Sequence, residues 1–407
     1  MAESRQRRFF YGYIIVLAGF IVMCLTWGIF HSFAVFFEPV LNEFGWTRAM
    51  TSAAYSLSYI LFGLLGIPMG RLNDRFGPRI IMVGSGLLLG FGYLLMSQVN
   101  FIWQLYLFFG VMIGIGMGAT WVPVISTVAR WFVRRRGMMT GIVISGMGLG
   151  TLIIPPVVTW LISSYGWRTS FILVGIAALL LITLAGYFLR RDPVQMGQSP
   201  YGENEIKEEN IYLETRGFSL REAVYTRQFW LLCGMFLITG YFIHTILVHI
   251  VIHATGLGIS ATNAANILAT MGGVSILGMI IMGSVGDKLG NRLSAITCFI
   301  IIAIILFWLI PVREAWMLYL LVAIFGFGTG GLDTLLSPIV AELFGLTSHG
   351  VIMGIIIFSL TIGGAIGPVL AGHIFDITNS YQLAFLITAT TATMGAIMIL
   401  LLRPIRR

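Results

Sequence analysis

The stretch GRLNDRFGPR, residues 70–79, has a counterpart in GSVGDKLGNR, residues 283–292. Both segments place Gly, Asp, a cationic residue, Gly and Arg at the same spacing, 213 residues apart. So many matches in one register are not expected by chance, and the pattern predicts two parallel copies of one unit. The same register extends without a gap and aligns Trp103 with Trp316, Tyr106 with Tyr319, Gly137 with Gly350, Gly141 with Gly354, Gly150 with Gly363 and Pro155 with Pro368.

The composition of the chain indicates a protein that is embedded in lipid. Of the 407 residues, 58% are hydrophobic and only 10% are charged, whereas soluble domains carry about 25% charged residues. Apolar runs such as YIIVLAGFIVMCLTWGIF approach the roughly 20 residues that cross a hydrocarbon core of about 30 Å. We predict twelve membrane spans, at 11–37, 48–70, 79–98, 101–129, 138–163, 169–189, 229–253, 262–282, 293–311, 316–340, 351–373 and 382–402.

The repeat and the spans together predict an all-α membrane protein with two pseudo-symmetric six-helix bundles, residues 1–190 and 229–407. Residues 191–228, which include the acidic run ENEIKEEN, are expected to form a cytoplasmic linker. Near its end, Ser219 and Glu222 have capping-box spacing, which predicts a short surface helix. Such an arrangement favours a site between the halves that opens to either side as one bundle rocks on the other.

The distribution of basic residues predicts the orientation. With the N-terminus in the cytoplasm, 21 of the 24 Lys and Arg residues fall on the cytoplasmic side, the exceptions being Arg48, Arg168 and Arg313. Positive loops mark the cytoplasmic face, so both termini are predicted to be cytoplasmic in a multi-pass plasma-membrane protein, the inner membrane in a bacterium or archaeon. The basic residues are spread over short loops, so no nucleic-acid partner is expected. We expect the chain to act as a monomer.

The paired loop motifs are candidates for a gate. Each places an acid beside a cation at the cytoplasmic end of a helix, where opposite charges can pair and hold one conformation. In the alternative interpretation, the charges only cap helices and set the topology. The six gating candidates are Asp74, Arg75, Arg79, Asp287, Lys288 and Arg292.

Several longer stretches carry a family resemblance. The loop motifs and the twelve spans resemble the major facilitator superfamily, and finer features over nearly the whole chain are similar to its monocarboxylate porter family. That resemblance implies transport of small organic anions, often together with a proton, by helices that surround a central cavity. The finer features are FAVFF with EFGWTR, RWFVRRRGMMTGIVISGMGLGTLIIPP, YGWRTSF, RDPVQMGQSP, SPIVAELFG and GPVLAGHIFDITNSYQLAF.

The same resemblance points to a histidine in the first span. Mammalian monocarboxylate transporters are similar in carrying a lysine that three residues separate from Val-Phe-Phe, and His31 occupies that position in HSFAVFF. Those transporters also have an aspartate and an arginine in helix 8, which correspond here to Ser275 and Met279. The chain therefore departs from the family at its main cationic anchor for a carboxylate.

Few ionisable residues lie deep in the predicted spans, and such residues normally face a wet cavity or a partner. Asp333 lies in span 10, and His31 corresponds by the repeat to His244 in span 7. The resemblance implies that helices 1, 4, 7 and 10 line one cavity. A protonated His31 would hold a carboxylate and a neutral one would release it, since imidazole titrates near pH 6.5. Asp333 would carry the coupling proton or pair with a protonated histidine.

Each of these assignments has a structural alternative. His31 would then only bond a neighbouring helix backbone, and Asp333 would be a buried acid bonded to Ser or Thr. His249 and His253 lie towards the outer end of span 7, where an interfacial or gate position is expected rather than a contact with substrate. The remaining candidates for the pocket are polar or aromatic residues in the middle of spans: Trp121, Tyr55, Tyr59, Asn266, Ser145 and Ser359.

The leading hypothesis is a secondary transporter that carries a small organic monocarboxylate with a proton. A proton-driven exporter of hydrophobic compounds is the first alternative, and a non-transporting membrane receptor is an alternative of another class. No metal-ligand spacing and no nucleophile–base pair is evident in the sequence, so neither a cofactor nor an enzymatic activity is expected.

Overall fold

The structure is a computed structural model that describes residues 10–132, 136–201, 218–345 and 348–402, without the side chains of Ile67, Asp74, Arg136, Asp287 and His349. The described chain folds almost entirely into long helices. In order they are α1 Gly12–Phe44, α2 Arg48–Phe76, α3 Pro78–Met96, α4 Ile102–Trp131, α5 and α6 within Arg136–Phe188, α7 Arg227–Gly256, α8 Ala261–Leu289, α9 Asn291–Leu309, α10 Ala315–Phe344, α11 His349–Thr378 and α12 Gln382–Leu401.

The prediction of twelve spans is confirmed. Eleven helices in the described chain are long and apolar enough to cross a membrane. One of them, Arg136–Phe188, leaves the helical conformation at Gly166, where φ is 78° and ψ is 161°. A positive φ of this kind is readily adopted only by glycine, so the helix is divided there into α5 (136–165) and α6 (167–188).

Among the helices that run beyond their predicted spans, α2 and α8 include the start of the repeated loop motifs. α2 continues to Phe76 and α8 to Leu289. The chain then turns at Gly77, with φ 82°, and at Gly290, with φ 94°, before the next helix begins. Glycine is needed at both turns for the same conformational reason.

The sequence repeat is also a repeat of tertiary contacts. Tyr106 on α4 donates a hydrogen bond of 3.0 Å to the carbonyl of Met50 on α2. At the equivalent positions, Tyr319 on α10 donates one of 3.2 Å to the carbonyl of Asn263 on α8. The same side chain therefore joins the same pair of helices in each half, as expected for a duplicated fold.

Glycines permit a close crossing of α1 with α5, and of α7 with α11 in the second half. A Cβ atom built on Gly150 would lie 2.9 Å from the carbonyl carbon of Cys24, and one on Gly363 would lie 2.7 Å from that of Leu237. Both distances are too short for a real side chain. Close backbone approach at small residues is a common way for helices to associate in lipid.

The two halves meet along α5 with α8 and along α2 with α11. A Cβ on Gly148 of α5 would lie 2.9 Å from the carbonyl oxygen of Gly272 on α8. The side chain of Thr361 on α11 packs directly against Gly63 of α2. These close helix contacts at glycine residues surround a central cavity.

Two of the stretches that carry the family resemblance meet at the end of the molecule opposite the chain termini. Glu43, from EFGWTR, accepts hydrogen bonds from Trp167 Nε1 at 2.6 Å and from the Arg168 guanidinium at 2.7 Å. Trp167 and Arg168 belong to YGWRTSF, at the start of α6. The charge-assisted bonds fix the end of α1 against α6.

The predicted linker lies partly outside the described chain, because residues 202–217 are not described. The short helix that follows is confirmed at Leu220–Val224. Ser219 Oγ accepts the backbone N–H of Glu222 at 3.3 Å, and the Glu222 carboxylate accepts the backbone N–H of Ser219 at 2.7 Å. The capping box is therefore formed as expected.

We predict that Gly150→Ala lowers the stability of the fold by about 1–3 kcal/mol, because its methyl group must displace the α1 backbone. Gly141→Ala is the matched control in the same helix, since a Cβ there meets nothing within 4 Å. Thermal unfolding of the two purified variants in detergent tests this. Equal midpoints would contradict the close crossing of α1 and α5.

Candidate functional site

A cavity of about 470 Å³ lies between the two halves. Eight helices contribute to its wall: α1, α2, α4, α5, α7, α8, α10 and α11. The wall is mainly apolar and aromatic, and its described residues include no Lys or Arg. The side chains in it that titrate are His31, Tyr59, His244 and Asp333.

The structure brings together five of the nine predicted pocket residues. His31, His244, Asp333, Trp121 and Tyr59 all line the cavity. Of the other four, Tyr55 lies directly behind the wall. Asn266, Ser145 and Ser359 are not among the lining residues, and the Ser145 and Ser359 hydroxyls donate to backbone carbonyls of their own helices.

His31 is held by a hydrogen bond that assigns its tautomer. Its Nδ1 lies 2.8 Å from Thr151 Oγ1, and the Thr151 hydroxyl donates to the Met147 carbonyl at 2.9 Å. Because the hydroxyl proton is used there, Thr151 Oγ1 accepts from the His31 Nδ1–H. The neutral imidazole then carries a lone pair on Nε2. That atom is buried and has no hydrogen-bond partner in the described chain.

Trp27 stands one helical turn before His31 and supplies a complementary group. Its ring centroid is 5.6 Å from that of His31. Trp27 also lines the cavity, and its Nε1–H is buried with no acceptor among the described residues. A buried polar group without a partner is costly, and such groups are infrequent in folded proteins. Within the described chain, the side chains of Trp27 and His31 therefore hold one buried donor and one buried acceptor without partners.

The helix backbone is irregular directly after His31, and neighbouring aromatic rings hold Trp27 in place. α1 is interrupted at Ser32, directly after His31, and the Ser32 hydroxyl donates to the Gly28 carbonyl at 2.7 Å. Such bonds from Ser to the preceding turn are associated with bends in helices. Trp27 is fixed by edge contacts with Phe62 and Trp121, whose ring centroids lie at 5.3 and 5.9 Å.

His244 occupies the equivalent place in the second half. Its Nδ1 lies 2.8 Å from the Tyr55 hydroxyl, and its ring centroid is 3.9 Å from that of Tyr59. A Cβ on Gly364 would lie 2.5 Å from Tyr59 and 2.6 Å from His244, so only glycine leaves room for this contact between the two tilted rings. Tyr55 thus positions His244 from behind rather than facing the cavity.

Asp333 on α10 is exposed to the cavity. No described Lys or Arg forms an ion pair with it. Ser275 and Met279, at the two positions where the family carries an aspartate and an arginine, also line the cavity. The departure from the family pattern therefore lies in the cavity wall. The wall contains His31 and His244 as its basic side chains, and no Lys or Arg among its described residues.

The end of the cavity away from the chain termini is closed by contacts between the halves. The backbone N–H groups of Arg48 and Ala49, at the start of α2, both donate to the Asp376 carboxylate at 2.9 Å. The Arg48 guanidinium lies 3.7 Å from the ring centroid of Phe375 and donates to the Tyr381 hydroxyl at 2.7 Å. α2 of the first half is therefore fixed to α11 and to the start of α12.

His249 on α7 extends this closure. Its Nε2–H donates to the Pro368 carbonyl at 2.8 Å, so its Nδ1 accepts from the Tyr381 hydroxyl at 2.9 Å. One directed chain of hydrogen bonds thus runs from Arg48 through Tyr381 and His249 to Pro368. We call Arg48, Asp376, Tyr381 and His249 the far-end cluster.

His249 and His253 are predicted from the sequence to have an interfacial or gate position, whereas Arg48, Asp376 and Tyr381 are not among the predicted site residues. Arg48 and Asp376 both lie within stretches that carry the family resemblance, EFGWTR and GHIFDITNSYQLAF. The missed signal was the length of the helix. α11 continues to Thr378, beyond the predicted end at residue 373, so Asp376 lies in its last turn.

The predicted gating residues lie at the opposite end. Arg79 stacks on Tyr187 of α6, with 3.6 Å from its guanidinium carbon to the ring centroid. Its counterpart Arg292 donates to the Leu400 carbonyl of α12 at 2.7 Å. Both contacts stay within one half. The Asp74 and Asp287 side chains lie outside the description, and Arg75 and Lys288 are exposed and form no ion pair with a described residue.

The fold and the central cavity are those of a membrane carrier. The family model of the Major Facilitator Superfamily matches residues 15–275 and 230–407, and the chain belongs to that superfamily. Its members are transporters and not enzymes, in agreement with the expectation from the sequence.

Its relatives agree with the narrower resemblance. The chain is 29% identical over 390 residues to monocarboxylate transporter 13 of Bos taurus, covering 95% of this chain and 88% of that protein. It is 26% identical to monocarboxylate transporter 12 of Mus musculus, covering 98% and 86%. Among solved structures, a bacterial homologue of the human lysosomal transporter Spinster, inward-facing and unoccupied, superposes with a TM-score of 0.75 at 16% identity, covering 96% of this chain and 97% of that one.

We predict that Asp376→Ala opens the far end. Loss of two hydrogen bonds to a charged group removes a few kcal/mol from the closed arrangement. In a chain without Cys24, Cys233 and Cys298, a Ser52→Cys substitution places a thiol beside His249, and we expect Asp376→Ala to raise its maleimide labelling rate about tenfold. The control Glu314→Ala removes an exposed acid at the N-cap of α10, whose side chain makes no capping hydrogen bond. Equal rates in the two variants would contradict a closing role for Asp376.

Proposed function

We propose that the protein is a proton-coupled symporter of small organic monocarboxylates that works by alternating access. We further propose that it acts as a monomer in the plasma membrane with both termini in the cytoplasm. The observation that carries the proposal is the pair formed by Trp27 Nε1 and His31 Nε2, a donor and an acceptor that are both buried without partners in the described chain.

A carboxylic acid satisfies both groups at once. One carboxyl oxygen accepts from the Trp27 Nε1–H, and the other shares its proton with His31 Nε2. Whether the proton resides on the acid or on the imidazole, substrate and proton together add no net charge to the cavity. This neutrality matters because the described cavity wall contains no Lys or Arg that would balance a bare anion in a medium of low dielectric.

Asp333 is proposed as the second protonatable group. It shares the cavity with His244 of its own half of the chain and with His31 of the first half. A carboxyl group in this position must be neutral, or paired with a protonated histidine, when the cavity closes around the substrate. Proton transfer to Asp333 would then be a condition for the empty carrier to change conformation.

The conformation described here suits the release or entry of substrate at the end that carries the chain termini. The cavity wall reaches Thr140 and Met353, about one helical turn from the starts of α5 and α11 at that end. The far-end cluster closes the other side. The excess of basic residues at the terminal end supports a cytoplasmic location for it, and the names of the relatives support the substrate class.

One observation favours a second candidate, a proton-driven exporter of hydrophobic compounds. Four methionines line the cavity, Met147, Met271, Met279 and Met353, and methionine adapts readily to apolar ligands. Uptake of lactate, pyruvate and longer monocarboxylates into proteoliposomes under an imposed pH gradient separates the two functions. Accumulation of none of these acids, with extrusion of a hydrophobic dye, would favour the exporter.

We predict that His31→Ala abolishes proton-driven monocarboxylate uptake, while Trp27→Phe raises the KM about tenfold by removing one hydrogen bond to a charged substrate. Initial uptake rates in proteoliposomes measure both. Trp160→Phe is the matched control, because that indole is 59% exposed on the outside of the bundle. Wild-type KM in Trp27→Phe would rule out the proposed donor.

We predict that Asp333→Asn uncouples transport from the proton gradient. Asparagine keeps the shape of the side chain but binds no proton, so accumulation driven by pH should be lost while exchange of labelled for unlabelled substrate continues. Glu314→Gln provides the control for loss of an exposed acid outside the cavity. Unchanged accumulation in Asp333→Asn would show that the coupling proton is carried elsewhere.

A further inference from the structure

A second cavity, of about 390 Å³, lies at the terminal end of the first half. It forms where the turn between α2 and α3 meets the end of α6. Four arginines line it, together with the backbone of the turn and Gln195. The arginines are Arg75, Arg79, Arg190 and Arg191.

The guanidinium groups of Arg75 and Arg79 are free to bind an anion. Arg79 lies flat against Tyr187, and Arg75 lies 5.2 Å from the ring centroid of Phe76. Neither donates a hydrogen bond to a described residue. Stacking uses the face of a guanidinium and leaves the N–H groups at its edge available. Arg190 is oriented by a hydrogen bond of 2.7 Å to the Tyr187 carbonyl.

The positive charge of the cavity is only partly balanced. Asp192 lies 3.3 Å from Arg191 and 3.6 Å from Arg130. Arg130 is not one of the residues that line the cavity. Asp74 is next to Arg75 in sequence, and its side chain lies outside the description. Among the described groups, the four guanidiniums of the cavity therefore have one carboxylate nearby to balance them. That carboxylate, Asp192, contacts Arg191 and is shared with Arg130.

The N-terminus of α3 adds to the positive electrostatic potential of the cavity. Pro78 begins this helix of 19 residues, and its N-cap is Gly77, which has no side chain to accept the first N–H groups. Pro78 and Gly77 both line the cavity. Unsatisfied N–H groups and the positive end of the helix dipole favour an anion beside Arg79.

The equivalent place in the second half is different, so the site is not a general consequence of the repeated motif. Arg292, the counterpart of Arg79, uses its N–H groups on the carbonyls of Ile399 and Leu400. Asn291, the counterpart of Pro78, donates to the Glu342 carboxylate at 2.5 Å. Arg292 and Asn291 therefore already have hydrogen-bond partners, whereas Arg79 donates to no described residue and Pro78 has no side-chain donor.

Exposed apolar side chains border the arginine cavity on the outside of the bundle. Phe76 and Ile80 are 48% and 60% exposed, and Phe188 at the end of α6 is also exposed. Such a border faces acyl chains in a membrane. The cationic pocket suits a phosphate group, and its apolar rim suits the acyl chains of an amphiphile. A free anion would use the arginines but not the apolar rim.

We propose that this cavity binds the phosphate headgroup of an anionic phospholipid, with the acyl chains lying along Phe76, Ile80 and Phe188. Arg75 and Arg79 contact the phosphate oxygens, and Arg190 contributes to the positive field. The bound lipid holds the α2–α3 turn against the end of α6. A lipid headgroup and inorganic phosphate share an anionic phosphate group, so inorganic phosphate is the competing ligand that the experiment must distinguish.

Native mass spectrometry of the full chain in detergent tests the proposal, with phosphatidylglycerol, phosphatidylcholine and inorganic phosphate as probes. For the wild-type protein we expect retention of phosphatidylglycerol at collision energies that remove phosphatidylcholine, and no displacement by millimolar inorganic phosphate. Equal retention of the two lipids would overturn the proposal. Displacement by inorganic phosphate would assign the cavity to a free anion and would overturn the lipid as its ligand.

The variant Arg75→Gln, Arg79→Gln, Arg190→Gln removes three of the four cations. We expect its affinity for phosphatidylglycerol to fall about tenfold or more. The matched control, Arg221→Gln, Arg227→Gln, Arg313→Gln, removes the same charge from exposed positions away from the cavity and should lose less than about twofold. An equal loss in both variants would show that only net charge matters and would overturn a specific site.

Discussion

Polar groups in the middle of this molecule lie in surroundings that solvate them poorly, and each must find a partner inside the bundle. Thr151 satisfies one nitrogen of His31, and Tyr55 satisfies one nitrogen of His244. The rule makes its exceptions informative. Trp27 Nε1 and His31 Nε2 have no partner in the described chain although both side chains line the cavity, and the proposed function uses this donor and acceptor to bind a carboxylic acid.

The same surroundings restrict how charge enters the cavity. Arginine or lysine would hold a permanent positive charge there, and none is present in the described wall. Histidine and aspartate can gain and lose a proton, so the carrier can match its own charge to that of the substrate. In the proposed function, with Ser275 and Met279 in place of a charged pair, the proton itself would be the counter-ion of the monocarboxylate. Electrostatics would then link transport to proton movement.

Much of the fold was predictable because it depends on local patterns. Hydropathy predicted twelve spans, and only the ends were inexact, as at Asp376, where α11 runs on to Thr378. The repeat predicted equivalent contacts, and Tyr106 and Tyr319 form them. Polar residues in mid-span were weaker guides: Trp121 and Tyr59 line the cavity, whereas Ser145 and Ser359 bond their own helices. A serine hydroxyl is easily satisfied within a helix, so its presence in a span says little about a cavity.

The sequence by itself determined the number of helices, their duplication and the short set of residues that can titrate within the membrane, since these follow from composition and spacing. Only the tertiary structure decided which partners those residues have. It brought Thr151 to His31, left Trp27 Nε1 without an acceptor among the described residues, and joined Arg48 to Asp376 across the two halves. The physical reason is that hydrogen bonds between helices depend on crossing geometry. Close contacts at Gly150 and Gly363 set that geometry, and their partners are distant in sequence.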